Sequence, residues 1–387
     1  MKSAETSRAL DIFRGFAAIC MVMNHAGNGW LSRADEAFGL TGALVFLGSA
    51  APALFFCATG LGIGLSRKSA PDWGGLVRKI LLLVLADFFL RWSTRRWLGL
   101  DFFGFCAVSM VAATLVGAAR KPRFAACAVI VACLLIRYGF VGVLHPLADR
   151  YAVVGFVSGV DGVEDVSYPL SPWLVFPMLG FIVGRASALE GESRRRPLDI
   201  LAVAGAGLVS AAGGIGLALR GAVVHRWGSV SIAYFLIAVA IVAGSWLLAI
   251  LVDRCPWKPV AAALSIRGPA SLVVVPVHYA LIAIAAAIVE PPYDAGAWIL
   301  ATAVLCSAVL VASKWIAICL HRLARTPAAS RWMLPVLAPC AGLAAWAVVA
   351  WPPLALVLVT SFAEVVVAMN LSRSPAPVTR RDGVRTL

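Results

Sequence analysis

The chain alternates long apolar runs with short polar breaks. Apolar runs occupy residues 9–30, 40–66, 76–92, 101–119, 123–143, 171–189, 198–219, 230–252, 266–289, 296–320, 333–351 and 354–371, separated by charged or Pro/Gly-rich segments. A hydrocarbon core of about 30 Å needs roughly 20 residues of helix, and the runs are of that order. They lack the period-2 alternation of a half-buried strand, and helices satisfy their own backbone groups in lipid. The pattern therefore predicts an all-α fold, a polytopic transmembrane helical bundle of about 10–12 spans. The count turns on whether Pro352 and Pro353 kink one last segment or separate two. The longest break, residues 144–170, is rich in Gly, Asp and aromatics; a break of that length suits a lid or re-entrant piece over a cavity. No internal repeat is visible, so an inverted-repeat transporter gains no support.

Composition agrees with this picture. Of 387 residues, 61% are hydrophobic and 13% charged, against about 25% charged in a soluble domain. The net charge of +14 is explained by cytoplasmic loops rather than nucleic acid, since no basic, aromatic-interleaved surface is present. With the N-terminus inside, Arg67, Lys68, Arg78, Lys79, Arg120, Lys121, Arg123, Arg194, Arg195, Arg196, Arg254, Lys258, Arg322, Arg325 and Arg331 all fall on inner loops. Asp35, Glu36, Asp161, Glu164, Asp165, Glu290 and Asp294 fall outside. This bias of Lys and Arg predicts an N-in, C-in topology. One outer loop, Arg91 to Trp97 with Arg95 and Arg96, is basic; it suits interfacial snorkelling or a site for anionic or sugar-like groups. The nine cysteines include no C-x-x-C pair and suit small buried hydrophobes rather than disulfides or zinc. The first run contains Asp11 and Arg14 and lacks a small-x-small cleavage site, so it does not suit a signal peptide.

Polar residues inside apolar runs are the candidates for chemistry, because a charge at a bilayer centre costs roughly 2.5–3.5 kcal/mol on insertion scales. The first run, LDIFRGFAAICMVMNHAGNG, carries Asp11, Arg14 and His25. Asp11 and Arg14 are spaced to pair on the helix. His25 lies eleven residues beyond Arg14, roughly 16 Å further along and on nearly the same face. It is either satisfied by a neighbouring helix or acts as a base or nucleophile. The run at 266–289 repeats the spacing with Arg267 and His278, and Pro276 interrupts the helix just before that histidine. Asp87, Asp101 and Arg137 lie in the outer halves of their runs and could converge with both histidines on one polar cavity; each acid could equally be an ion-pair partner of Arg91 or Arg137. Glu364 and Lys314 stand isolated in late runs and read as structural. Gly60, Gly62 and Gly64 suit close helix packing. No phosphate-loop, G-x-S-x-G or H-E-x-x-H motif is present, and no metal site is expected.

Four stretches taken together resemble the multi-spanning membrane acyltransferases, the superfamily that holds the acyltransferase-3 proteins and the heparan-alpha-glucosaminide N-acetyltransferase-like proteins. The opening SRALDIFRGFAAICMVMNHAG has the LD-x-x-RG start followed by histidine; PALFFCATGLGIGLS is similar to the family's F-x-F-x-S-G stretch, with Thr59 where serine is common. YPLSPWLVFPMLGFIVGR, Tyr168 to Arg185, resembles the P-x-x-PW…G…GR segment of the glucosaminide branch. IRGPASLVVVPVHYALI, Ile266 to Ile282, resembles the late G-x-x-SL-x-x-Y-x-x-H element, with Val274 or Val275 where an aromatic is usual. The stretches run from about Arg8 to Ile282, which suggests an acyltransferase-like core at 8–290, additional transmembrane helices at 296–371 and a basic cytoplasmic tail at 372–387.

The resemblance implies transfer of an acyl group, most often acetyl from cytoplasmic acetyl-CoA, to a sugar hydroxyl or amine of a glycan or glycolipid at the outer face. It assigns Arg14 and His25 to the family arginine and histidine, with His278 and Asp101 as further catalytic candidates. Arg14, Arg185 and Arg267, at cytoplasmic ends of spans, could hold the CoA phosphates. Arg91, Arg95, Tyr168 and Trp173 are the candidates for the acceptor. The expected setting is an integral, multi-pass protein of a bacterial inner membrane. A transporter or flippase of a glycan or lipid intermediate is the main alternative, and a non-catalytic scaffold or receptor a further one. Oligomerisation stays open, because surfaces facing lipid and surfaces facing a second subunit look alike in sequence.

Overall fold

A computed structural model describes residues 8–32, 39–66, 72–93, 101–160, 166–189, 196–222, 224, 230–256, 258–288, 293–324 and 353–371. In chain order the helices are α1 (Arg8–Trp30), α2 (Gly39–Gly48), α3 (Ala51–Leu65), α4 (Trp73–Ser93), α5 (Phe102–Ala118), α6 (Pro122–Leu134), α7 (Val141–Ala148), α8 (Ala152–Ser158), α9 (Leu170–Trp173), α10 (Val175–Leu189), α11 (Arg196–Leu219), α12 (Ile232–Arg254), α13 (Lys258–Leu264), α14 (Gly268–Ile288), α15 (Ala295–Ala324) and α16 (Pro353–Leu371). Every expected span coincides with helix except 333–351, which lies outside the described residues. The run 40–66 is built as two helices with a turn at Ser49 and Ala50. The run 123–143 continues from α6 through a π-helical turn, Leu135–Gly139, into α7. Within the long break, residues 144–160 contain the end of α7 and the short helix α8; Asp161, Glu164 and Asp165 lie outside the described residues.

Among the described residues, seven helical stretches are long and apolar enough to cross a membrane: Gly39–Leu65, Pro122–Gly139, Leu170–Ala188, Ile200–Leu219, Ile232–Arg254, Ala270–Ile288 and Ala295–Cys319. The protein is thus an integral, multi-pass helical bundle. Four other expected spans differ for a physical reason. α1 and α4 are long enough, at 23 and 21 residues, but carry Asp11, Arg14, His25, Asp87 and Arg91 in their length. α5 has 17 residues and begins at a polar cap. The apolar stretch of α16, Val357–Val367, is short and carries Glu364.

α1 is the centre of the bundle, in contact with α2, α3, α12, α13, α14 and α15. Leu10, Ile12, Phe13, Ala17, Ala18, Val22, Ala26 and Trp30 are all buried there. Its two ends are tied down by backbone bonds. Near the start, the Asp11 carbonyl accepts from Ile266 N at 2.9 Å; at the finish, the Trp30 carbonyl accepts from Tyr293 N at 2.7 Å. Glycine sets the approach of its neighbours: a Cβ on Gly48 would lie 2.7 Å from both Asn24 N and Cys20 O, so α2 sits against the turn of α1 that carries His25.

The tightest pair is α3 with α10. Gly60 and Gly64 on α3 face Gly180 and Gly184 on α10. A Cβ on Gly180 would stand 2.9 Å from Leu61 N, and one on Gly64 2.9 Å from Arg185 N. Small residues four apart on both helices let the backbones touch, the packing role expected for the glycine run. At the periphery α11 packs on α12 and leaves Leu201, Leu208, Val209 and Leu219 exposed. α16 packs against α14, α4 and α15, so the late helices are part of the same body as the early ones.

Candidate functional site

Three rings meet where α1 crosses α14. His25 comes from the fifth turn of α1, and His278 and Tyr279 from the middle of α14. Ring centroids lie 5.0 Å apart for His25 and His278, 4.8 Å for His25 and Tyr279, and 4.3 Å for His278 and Tyr279. Tyr279 Oη is 3.4 Å from His25 Nε2. His278 is fully buried, and its Nδ1 lies 3.0 Å from the Val274 carbonyl. A carbonyl only accepts, so Nδ1 carries the hydrogen and Nε2 keeps a lone pair; among the described residues that Nε2 has no partner. His25 is half-buried. The structure thus brings the two predicted histidines together and adds a tyrosine between helices.

An acidic edge borders this cluster. Asp87, on the second turn from the end of α4, is buried, and its Oδ2 accepts from Asp101 N at 3.0 Å. Asp101 is the N-cap of α5, its Oδ1 accepting from Phe102 N at 2.8 Å. Both carboxylates therefore serve the open N–H groups of one helix start, where negative charge is favoured. Asp101 interacts electrostatically with Tyr279 and Tyr168, and Asp87 with Arg91. Glu364 of α16, 3% exposed, interacts with Asp87, Asp101 and Tyr279. The sequence made Glu364 look isolated; its neighbours come from other helices. Arg91 belongs to the last turn of α4 and is buried rather than held in a loop. Arg95 lies outside the described residues.

The arginines gather at the other end of α1. Arg14 Nη1 donates to Asp11 Oδ1 at 2.8 Å, both side chains largely buried, which realises the expected i,i+3 pair. Its other terminal nitrogen faces α3 where Gly62 has no side chain: a Cβ there would stand 3.5 Å from Nη2. Arg185, near the end of α10, donates through Nη1 to the Ser66 carbonyl at 3.4 Å. Its Nε is buried without a partner among the described residues. Arg267, just before α14, is exposed and interacts electrostatically with Asp11. So Arg14, Arg185 and Arg267 border the ends of α3, α10 and α14 next to the start of α1, a cationic mouth with an open arginine edge. Lys314, expected to be structural, donates from α15 to the Ala262 carbonyl at 2.8 Å and to that of Ala263, capping α13 beside this mouth.

Tyr168 and Trp173 sit in an aromatic layer under the site. Their rings are 5.0 Å apart, and Phe56 contacts both, at 5.2 and 6.0 Å. Trp173 is fully buried and Tyr168 nearly so. Arg137, in the π-helical turn, lies over Tyr138 at 5.4 Å from the ring centre. Sequence reasoning missed Tyr279 and Glu364 as site residues. The signal for the first was adjacency to His278; for the second, a lone carboxylate in a late apolar run. Among the described residues no His, Cys, Asp and Glu group has the arrangement of a metal centre.

Chemically, the arrangement offers a half-buried imidazole, a second imidazole with a free lone pair, a phenol and nearby carboxyl groups, about three helical turns from a guanidinium cluster. Such a set suits proton transfer at one end and binding of an anionic group at the other. Residues 7–218 match the family model described as "Heparan-alpha-glucosaminide N-acetyltransferase, catalytic". No curated protein and no solved structure matches the chain. With more than half of its residues in that match, the chain belongs to the heparan-alpha-glucosaminide N-acetyltransferase family and is a membrane acetyltransferase.

Proposed function

We propose that the protein moves an acetyl group from acetyl-CoA, bound at the Arg14 mouth on the cytoplasmic side, to a sugar amine or hydroxyl presented from the opposite side. The observation that carries this reading is the polarity of α1. One helix bears Arg14 beside Arg185 and Arg267, and eleven residues on bears His25 against His278 and Tyr279. The pyrophosphate and ribose phosphate of CoA need cations, and the unpartnered Nε of Arg185 and the open edge of Arg14 fit that need. The N-acetyltransferase description of the family and the acidic edge of Asp87 and Asp101 both favour an amine acceptor, since carboxylates attract an ammonium group.

In this mechanism the neutral acceptor attacks the thioester carbonyl while His25 takes its proton. The C–S bond breaks, CoA leaves as the thiolate, and the new C–N or C–O bond holds the acetyl group. A positioned base contributes typically about 10²–10⁴-fold. His25→Ala should therefore lower turnover by about that factor while the protein elutes and unfolds as the parent does. The measurement is CoA release by purified protein given labelled acetyl-CoA, with glucosamine as the acceptor probe. Near-normal release by the variant would remove His25 from the chemistry. Label retained on the protein without acceptor, and lost with His25, would instead make the imidazole an acetyl relay.

A further inference from the structure

Tyr279 lies outside the matched segment 7–218, yet it is the residue that meets His25 with a polar atom. Its Oη stands 3.4 Å from His25 Nε2, and among the described residues the His25 ring makes no other hydrogen bond. The contact is long for a hydrogen bond, and such contacts at a base often tighten once substrate is bound. The phenol has little room to turn. On one side the His25 ring meets it at 4.8 Å and 60°; on the other His278 lies against it at 4.3 Å and 38°. His278 is itself anchored, fully buried with its Nδ1 3.0 Å from the Val274 carbonyl. A neutral imidazole carries a hydrogen on one nitrogen and a lone pair on the other, and the hydrogen bond made by one nitrogen decides which is which. Tyr279 covers Nε2. The half-buried ring of His25 therefore has Nδ1 left to meet an acceptor.

We propose that Tyr279 is a positioning residue for acetyl transfer: its hydroxyl oxygen accepts the Nε2 hydrogen of His25 and so leaves the Nδ1 lone pair as the base. The proposal rests on the reading of His25 as the base. The acceptor gives its proton to Nδ1 as its nitrogen or oxygen bonds to the thioester carbon, and the C–S electron pair leaves on sulfur. The imidazolium keeps its Nε2 hydrogen on the Tyr279 oxygen. Its Nδ1 hydrogen then passes to the CoA thiolate, which restores the neutral base; Tyr279 keeps its own hydrogen throughout. In Ser-His-Asp triads a buried carboxylate holds the imidazole in its working tautomer. A phenol does so here without charge, so its loss costs less than the loss of that carboxylate.

The test uses the full-length purified protein with two readouts. Tyr279→Phe keeps the ring and removes only the hydroxyl. With acetyl-CoA and glucosamine it is expected to lower kcat by about tenfold, the scale of one neutral hydrogen bond, with KM for acetyl-CoA unchanged. The second readout is nitrogen NMR of protein labelled with ¹⁵N-histidine, at a pH where the ring is neutral, the His25 signals being those missing from His25→Ala. The parent is expected to carry the hydrogen on Nε2, and Tyr279→Phe to show both tautomers. A tyrosine with only a packing role would leave the tautomer alone. An unchanged kcat overturns the proposal, as does a lower kcat with an unchanged tautomer. If Tyr279→Phe does not fold, the parent spectrum decides, and a hydrogen on Nδ1 overturns the proposal. His25→Ala separates the two levels. Turnover surviving in that variant defeats the base reading, whereas its loss beside a normal Tyr279→Phe defeats only the role of Tyr279.

Discussion

Arg14 shows how far single residues can be read from sequence. Its pairing with Asp11 was legible because i,i+3 residues share a helix face whatever the tertiary fold, and the 2.8 Å contact follows. What was not legible is that the other edge of the guanidinium opens toward Gly62 of another helix. That contact makes a prediction. Gly62→Val would put methyl groups against Nη2 and crowd any phosphate held there. KM for acetyl-CoA should rise about tenfold with little change in the folded protein, the loss of one charge-assisted contact being worth roughly 1.5–3 kcal/mol. An unchanged KM in steady-state kinetics would take Arg14 out of donor binding. The histidines were legible as anomalies in apolar runs, but the ring contact between them needed α1 and α14 to cross. Tyr279 was signalled only by its place beside His278, because a tyrosine in a membrane run carries no charge to flag it.

At the scale of elements, apolar runs predicted helices well because hydropathy and helix period are local. The α3–α10 pair shows the same for packing: G-x-x-x-G spacing is visible on each helix, though which helices meet is not. Gly180→Ala should force the two backbones apart, with its Cβ 2.9 Å from Leu61 N, and cost about 1–3 kcal/mol as overpacking. Gly244→Ala on α12 meets nothing within 4 Å and serves as the control. Thermal unfolding in detergent should separate the two; equal midpoints would show that the close approach is not required. The long break at 144–170 suited a lid or re-entrant piece from its Gly, Asp and aromatic content, and that composition did not reveal that its described part contains the end of α7 and the short helix α8. Short helices bury little, so composition gives them a weak signature.

For the whole molecule, the proposed sidedness is directly testable. Acetyl-CoA carries phosphates that do not cross a bilayer, so it must meet the Arg14 mouth from one side. Inside-out vesicles given external acetyl-CoA should release CoA, and sealed right-side-out vesicles should not until permeabilised. Equal release from both intact preparations would defeat a cytoplasmic donor site. Of the basic residues that suggest this orientation, Arg67, Lys68, Arg194, Arg195, Arg325, Arg331 and residues 372–387 lie outside the described residues; the orientation rests on the distribution of charge along the sequence. Sequence alone determined that this is a multi-pass helical bundle with polar groups set into its first and late spans, because those properties depend on neighbours a few residues apart. Only the tertiary structure decided which of those groups meet. His25 gains His278 and Tyr279 from a helix some 250 residues away, and α16 delivers Glu364 to the same edge as Asp87 and Asp101. Contacts between helices depend on packing around α1, which no local pattern specifies.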